Sequence, residues 1–97
     1  MLALPAVLTH LEALQVARNL AVQIQAPAKA QATSLPIELV LDASALAQFD
    51  SSALAVILAC RREAAAVGKT FSVHGLPARL SQLAGLYGVS ELIPQAV

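Results

Sequence analysis

"IELVLDASALAQFDSSALAVILACRREAAAVGKTFSVH", Ile37 to His74, carries the fold in one continuous stretch. Ile37 to Leu41 is a short apolar run interrupted only by Glu38. Its length and β-branching read as a strand covered on both faces. Asp42 to Phe49 connects it to a helix that runs to about Val67, with Gly68 as its stop. "TFSVH", Thr70 to His74, is a second strand of β-branched and aromatic residues. Strand, helix and strand in this order predict an α/β layer with at least part of its sheet parallel.

Upstream, Met1 to Leu4 reads as an edge strand ending at Pro5. Thr9-His10-Leu11-Glu12 has the T-x-x-E spacing of a capping box, in which the Thr9 hydroxyl accepts from the Glu12 amide and the Glu12 carboxylate reaches back. A helix follows from about His10 to Gln25, with Leu14, Ala17, Leu20, Ala21 and Ile24 turned to the core. "APAKAQATSLP", Ala26 to Pro36, reads as a loop, because its prolines bracket small and polar residues. Downstream, Gly75-Leu76-Pro77 turns into a last helix, Ala78 to Tyr87, with Pro77 near its first turn and Gly88 past its end. Leu80, Leu83, Ala84 and Tyr87 form its apolar stripe, and "SELIP", Ser90 to Pro94, closes the chain. Residues 1–97 therefore read as one domain with no internal repeat.

Composition narrows the function. Six basic and six acidic side chains cancel, which removes the electrostatic footprint of a nucleic-acid binder. Only 3% of residues are aromatic, too few for a base-stacking platform. The chain is 58% hydrophobic and only 12% charged, about half the usual charged share of roughly 25%. So small a domain cannot bury all of that, and exposed apolar surface marks partner sites. It also makes a homodimer of the isolated chain an expectation. The longest unbroken apolar run, Ala53 to Cys60, is far shorter than the roughly 20 residues that span a membrane. There is no basic segment leading into an apolar core and cleavage site at the N-terminus, and a lone cysteine, Cys60, makes no internal disulfide. These features predict a reducing, cytoplasmic setting.

The central helix carries the candidate site. Val56, Val67, Cys60, Ala53, Ala64 and Ile57 fall in one uncharged sector that should face the sheet, flanked by Leu54. The opposite sector, centred on Arg62, holds Ser51, Ala55, Ala59 and Ala66, with Leu58 and Ser52 at its edges. Alanine is a good exposed helix former. A ridge of small residues also admits the backbone of another protein, and the low overall charge favours that second reading. Asp50, Ser51 and Ser52 stand where a helix start has unpaired N–H groups; Asp50 or Ser51 is suited to cap it. The same place favours a phosphate.

Catalytic alternatives find little support. His10 and His74 are the only histidines, and neither Ser51 nor Ser52 lies in a G-x-S-x-G elbow. Cys60 lies mid-helix on the core face, as a small hydrophobe does. The spacing of cysteine and histidine matches no metal site, and no Walker A or G-x-G-x-x-G run is present. No enzyme activity, metal or cofactor is expected.

Four stretches resemble the STAS domains (sulfate transporter and anti-sigma factor antagonist). They are "LVLDAS", "FDSSALAVIL", "GKTFSVHGLP" and "RLSQLAGLYGVSELIP", in that order, and the best match covers residues 37–94. The resemblance implies a mixed β-sheet with helices packed mainly on one side, here with a shortened N-terminal strand region. Two branches of the family fit. In anti-sigma factor antagonists the motif reads D-S-S-G-L and its second serine is phosphorylated by an anti-sigma factor kinase; Ser52 holds that position. In the small MlaB-like STAS subunit of the Mla phospholipid ABC transporter, a threonine follows the aspartate, the position of Ser51. Ala53 stands where both branches carry glycine. "LAGLYGV", Leu83 to Val89, is more similar to the Mla branch, in which an L-A-x-L-Y phrase recurs.

The resemblance therefore implies, first, a non-enzymatic cytoplasmic subunit. It would bind and stabilise or regulate the ATPase of an Mla-type transporter that maintains outer-membrane lipid asymmetry, and would be peripheral at the inner membrane through that partner. The contact implied is Asp50, Ser51, Ser52, Ala55, Leu58, Ala59 and Arg62. The alternative is an anti-sigma factor antagonist switched by phosphorylation of Ser52.

Overall fold

Glu38–Asp42 and Thr70–His74 pair in parallel along their whole length, from Glu38 opposite Thr70 to Asp42 opposite His74. The computed structural model describes residues 2–30 and 38–95, with side chains for 2–25 and 38–95. In chain order its elements are β1 (Leu2–Ala3), β2 (Val7–Leu8), α1 (Ala13–Ala30), β3 (Glu38–Asp42), β4 (Gln48–Phe49), α2 (Ser52–Ala66), β5 (Thr70–His74) and α3 (Ala78–Leu86), then a 3-10 turn over Ser90–Leu92. β1 joins the other edge of β3, giving the order β1-β3-β5. Beyond β5, Gln95 forms a single parallel bridge to Val73, whose N–H donates to the Pro94 carbonyl at 2.8 Å. Every pairing among the described residues is parallel.

This order places the helices. The chain steps across the sheet in one direction, and parallel crossovers are right-handed, so α1 and α2 lie on the same face. Strand burial agrees: Leu39, Leu41 and Val73 point one way and are buried, whereas Glu38, Thr70 and His74 on the other face are exposed. Against Leu41 and Val73 pack Leu20 and Ile24 of α1, Val56, Ile57 and Cys60 of α2, and Leu80 of α3, all within one core cluster. The α/β class and the one-sided helix layer match the sequence expectation. In the N-terminal region the structure has two strands of two residues each.

Several expectations need correction. α1 does not end at Gln25 but runs on through Pro27 to Ala30. A proline costs a helix its own N–H bond, and the alanines around Pro27 are the strongest helix formers available. The remainder of the expected loop, 31–36, and the first residue of the expected strand, Ile37, lie outside the described residues. Leu14 is not a core residue: it is 65% exposed. At about 100° per residue it stands about 120° from Leu20, whereas Ala13, Val16, Ala17 and Ile24 lie within about 60° and pack on the core. Tyr87, read as part of the α3 stripe, is 61% exposed, while Leu80 and Ala84 are buried. The connection 42–49 contains β4, which pairs with β2 through Val7–Gln48 and Leu8–Phe49. That short pairing brings Asp50 beside Thr9 and His10.

The apolar excess in the composition emerges on the surface as Leu11, Leu14, Val22, Leu86 and Tyr87. Among the described residues, no helix is long and apolar enough to cross a membrane.

Candidate functional site

Asp50 organises the start of α2. Its Oδ1 accepts from the Ser52 N–H at 2.8 Å, and its main-chain carbonyl accepts from Ala53 at 3.0 Å. It is therefore the residue that caps the helix, since it answers an N–H that has no partner inside the helix. Ser51 makes no side-chain capping bond. The second oxygen, Oδ2, accepts from the His10 N–H at 3.0 Å and lies 3.1 Å from His10 Nδ1. The imidazole, then the His10 and Ser52 amides, hold the Asp50 carboxyl down at about 2.

The capping box at the head of α1 forms with one change of partner. Glu12 Oε1 accepts from both the Thr9 N–H, at 2.8 Å, and the Thr9 hydroxyl, at 2.7 Å. The Thr9 hydroxyl oxygen accepts from Leu11, not from the Glu12 amide, which donates to the Thr9 carbonyl. These Thr9 bonds keep the Glu12 carboxyl below its usual range. Asp42, at the end of β3, is likewise lowered by the hydroxyl and amide of Ser44.

The outward face of α2 contains a shallow pocket of about 260 Å³, lined by Ser51, Leu54, Ala55, Leu58, Tyr87 and Val89. Ser51, Ala55 and Leu58 recur at helical spacing and share one stripe. Leu54, buried, forms the floor, and Tyr87 with Val89 close the side from the end of α3. No charged side chain lines it. On the other flank of α2, Glu63 accepts from the Gln25 side-chain amide of α1.

Of the seven expected contact residues, the structure gathers Ser51, Ala55 and Leu58 into this pocket. Ala59, half-buried, and Arg62, exposed, continue the same outer face toward the C-terminus of α2. Asp50 is directed at His10 and Ser52, and Ser52 is half-buried with its amide engaged. Leu54, Tyr87 and Val89 were missed. The α3 periodicity puts Tyr87 in a core stripe, whereas the structure sets it, just past the end of α3, beside Leu54, Ala55 and Leu58.

Neither histidine is paired with a serine hydroxyl among the described residues: His10 meets Asp50, and the Ser44 hydroxyl donates to Asp42. His74 ends β5 exposed. Cys60 is buried in the core, and desolvation pushes its thiol up to about 12. No group of three or more His, Cys, Asp or Glu side chains among the described residues is placed to hold a metal ion.

Comparison with known proteins adds one finding. The family model described as "Mlab, STAS domain" matches residues 13–94, a span containing α1 to α3 and every residue that lines the α2 pocket. Among curated proteins none matches the chain.

Proposed function

Because the chain belongs to the MlaB-like STAS domain family, we propose that it is a non-enzymatic subunit that docks on the ATPase of an Mla-type phospholipid ABC transporter. Docking stabilises or regulates that ATPase and so supports outer-membrane lipid asymmetry. The subunit reaches the cytoplasmic face of the inner membrane only through this partner. STAS domains generally act by binding, and the contact surface here is the outward face of α2.

The observation that carries this reading is the uncharged pocket in which Ser51, Ala55 and Leu58 meet Tyr87 and Val89. An aliphatic side chain of the partner buried there contributes about 2 kcal/mol. Ser51, at the position where the Mla branch carries threonine, is exposed at its rim and free to bond across an interface. Ser52, the phosphorylation site in the antagonist branch, is half-buried, and its amide donates to Asp50. A phosphate on Ser52 would add nearly two negative charges beside that carboxylate, which favours the Mla reading.

The test is co-purification of the ATPase with the Ser51→Arg, Ala55→Arg double variant. Both positions are exposed, so the variant should keep the wild-type circular dichroism spectrum while losing the ATPase. Undiminished co-purification by a folded double variant would overturn the reading. Without the ATPase, the same apolar face should self-associate at high concentration, and the double variant should sediment as a monomer.

A further inference from the structure

Most carboxylates of the described residues are already engaged within the chain, and the strong bases are not. Glu12 accepts from Thr9, Asp42 from Ser44, Asp50 from His10 and Ser52, and Glu63 from Gln25. The only ion pair among the described residues is His10–Asp50. Arg62 therefore has no carboxylate partner among them, although it stands on the same stripe as the pocket. Ser51, Ala55, Leu58 and Arg62 follow one another at intervals of four, three and four residues, so each sits one turn beyond the last. Arg62 is exposed at the far end of this row, about 6 Å along the axis from Leu58. The face thus offers an uncharged socket followed, one turn on, by an unneutralised guanidinium.

We propose that the segment docking on this face is an apolar-acidic one: an aliphatic or aromatic side chain enters the α2 pocket, and a carboxylate about one helical turn away pairs with Arg62. The inference rests on the docking role proposed above and names the chemistry of the partner's contact. Charge complementarity selects this occupant. A basic segment would meet Arg62 with like charge, and a wholly apolar one would leave the guanidinium partly desolvated with no partner. An Arg fork also suits a carboxylate through two parallel N–H bonds.

The experiment measures the affinity of the purified ATPase of the same transporter for wild type, Ala55→Arg, Arg62→Glu and Arg18→Glu at low and at high salt. Arg18, exposed on α1, controls for net charge. The expected result is loss of binding in Ala55→Arg, about tenfold weakening in Arg62→Glu that diminishes at high salt, and wild-type affinity in Arg18→Glu. Loss of binding in Ala55→Arg with wild-type affinity in Arg62→Glu would leave the docking face standing and overturn the acidic partner. Equal weakening in Arg62→Glu and Arg18→Glu would also overturn it, as an effect of net charge alone. Wild-type affinity in Ala55→Arg would overturn the docking face, and with it this inference.

Discussion

His10 and Asp50, forty positions apart, are joined twice: the His10 main-chain N–H lies 3.0 Å and its Nδ1 3.1 Å from Asp50 Oδ2. The other oxygen of that carboxylate caps α2 through the Ser52 amide. One side chain thus ties the entry of α1 to the start of α2, the helix that carries the proposed docking face. The β2–β4 pairing makes this possible, because Leu8 opposite Phe49 sets the next residues of both strands side by side.

Asp50→Asn keeps a capping oxygen but removes the charge, and Asp50→Ala removes both. Both variants should melt a few degrees below wild type at neutral pH, Ala more than Asn. The folded carboxyl is depressed to about 2 from an ordinary 3.8. Its charge therefore stabilises the fold above about pH 4, and the contribution is lost as pH falls through about 2. Melting temperatures of wild type and Asp50→Asn should converge across that window, because the other carboxylates are common to both. A gap that persists unchanged at pH 2 would contradict this account.

Gly75 is the turn glycine whose replacement meets resistance twice. Its φ is +72°, and a Cβ there would lie 2.8 Å from Ser44 Cβ and 3.0 Å from Ser44 Cα. Ser44 has little room to retreat, since its amide and hydroxyl both bond Asp42. Gly88 has a nearly equal φ of +71° but nothing within 4 Å. Gly88→Ala should cost about 1–2 kcal/mol from left-handed backbone alone. Gly75→Ala should cost about 1–3 kcal/mol beyond that for overpacking. Urea unfolding of the two variants checks the order, and equal losses would mean that the Ser44 contact yields freely.

The β3-α2-β5 unit was legible because each element shows its own period and ends on a turn residue. The inward sector read for α2 is the one observed, with Ala53, Leu54, Val56, Ile57, Cys60 and Ala64 buried. α1 was read less well because hydropathy alone put Leu14 with Leu20, although the helical wheel sets it about 120° away, outside the arc of Ala13, Val16, Ala17 and Ile24 that packs on the core. β2 and β4 are too short to show alternation, and they exist because they pair with each other. The same limit applies to the pocket. Ser51, Ala55 and Leu58 share a stripe that any helical wheel displays, whereas Tyr87 and Val89, past the end of α3, meet them only in the folded chain.

Ile57 is fully buried where α2 meets the sheet. Ile57→Ala removes most of its side chain and leaves a cavity, at a cost of about 2–5 kcal/mol. Domains of this size have total stabilities of about 5–15 kcal/mol. The urea midpoint should therefore fall steeply, with an unchanged slope if unfolding remains two-state. Because Ile57 points away from the proposed docking face, the proposal expects the variant still to bind the ATPase under conditions where it is folded. Lost binding by a folded Ile57→Ala variant would show that core packing sets the shape of that face.

Cys60 supplies an internal reporter of opening. Its side chain is 1% exposed, and burial, with a smaller contribution from Glu63, pushes the thiol up to about 12 from an ordinary 9.0. Only the thiolate attacks a disulfide reagent, and a thiol raised this far stays protonated at pH 8 in the folded state. Exposure in the unfolded chain removes both barriers at once. Labelling with an aromatic disulfide at pH 8 should therefore be slow in buffer and accelerate with urea in step with the unfolded fraction. If the proposed ATPase partner binds only the folded chain, its addition should slow labelling further, because it lowers the population of the open form. Fast labelling in buffer would mean that α2 opens locally without global unfolding. Labelling unaffected by saturating ATPase would mean that this opening leaves the docking face intact.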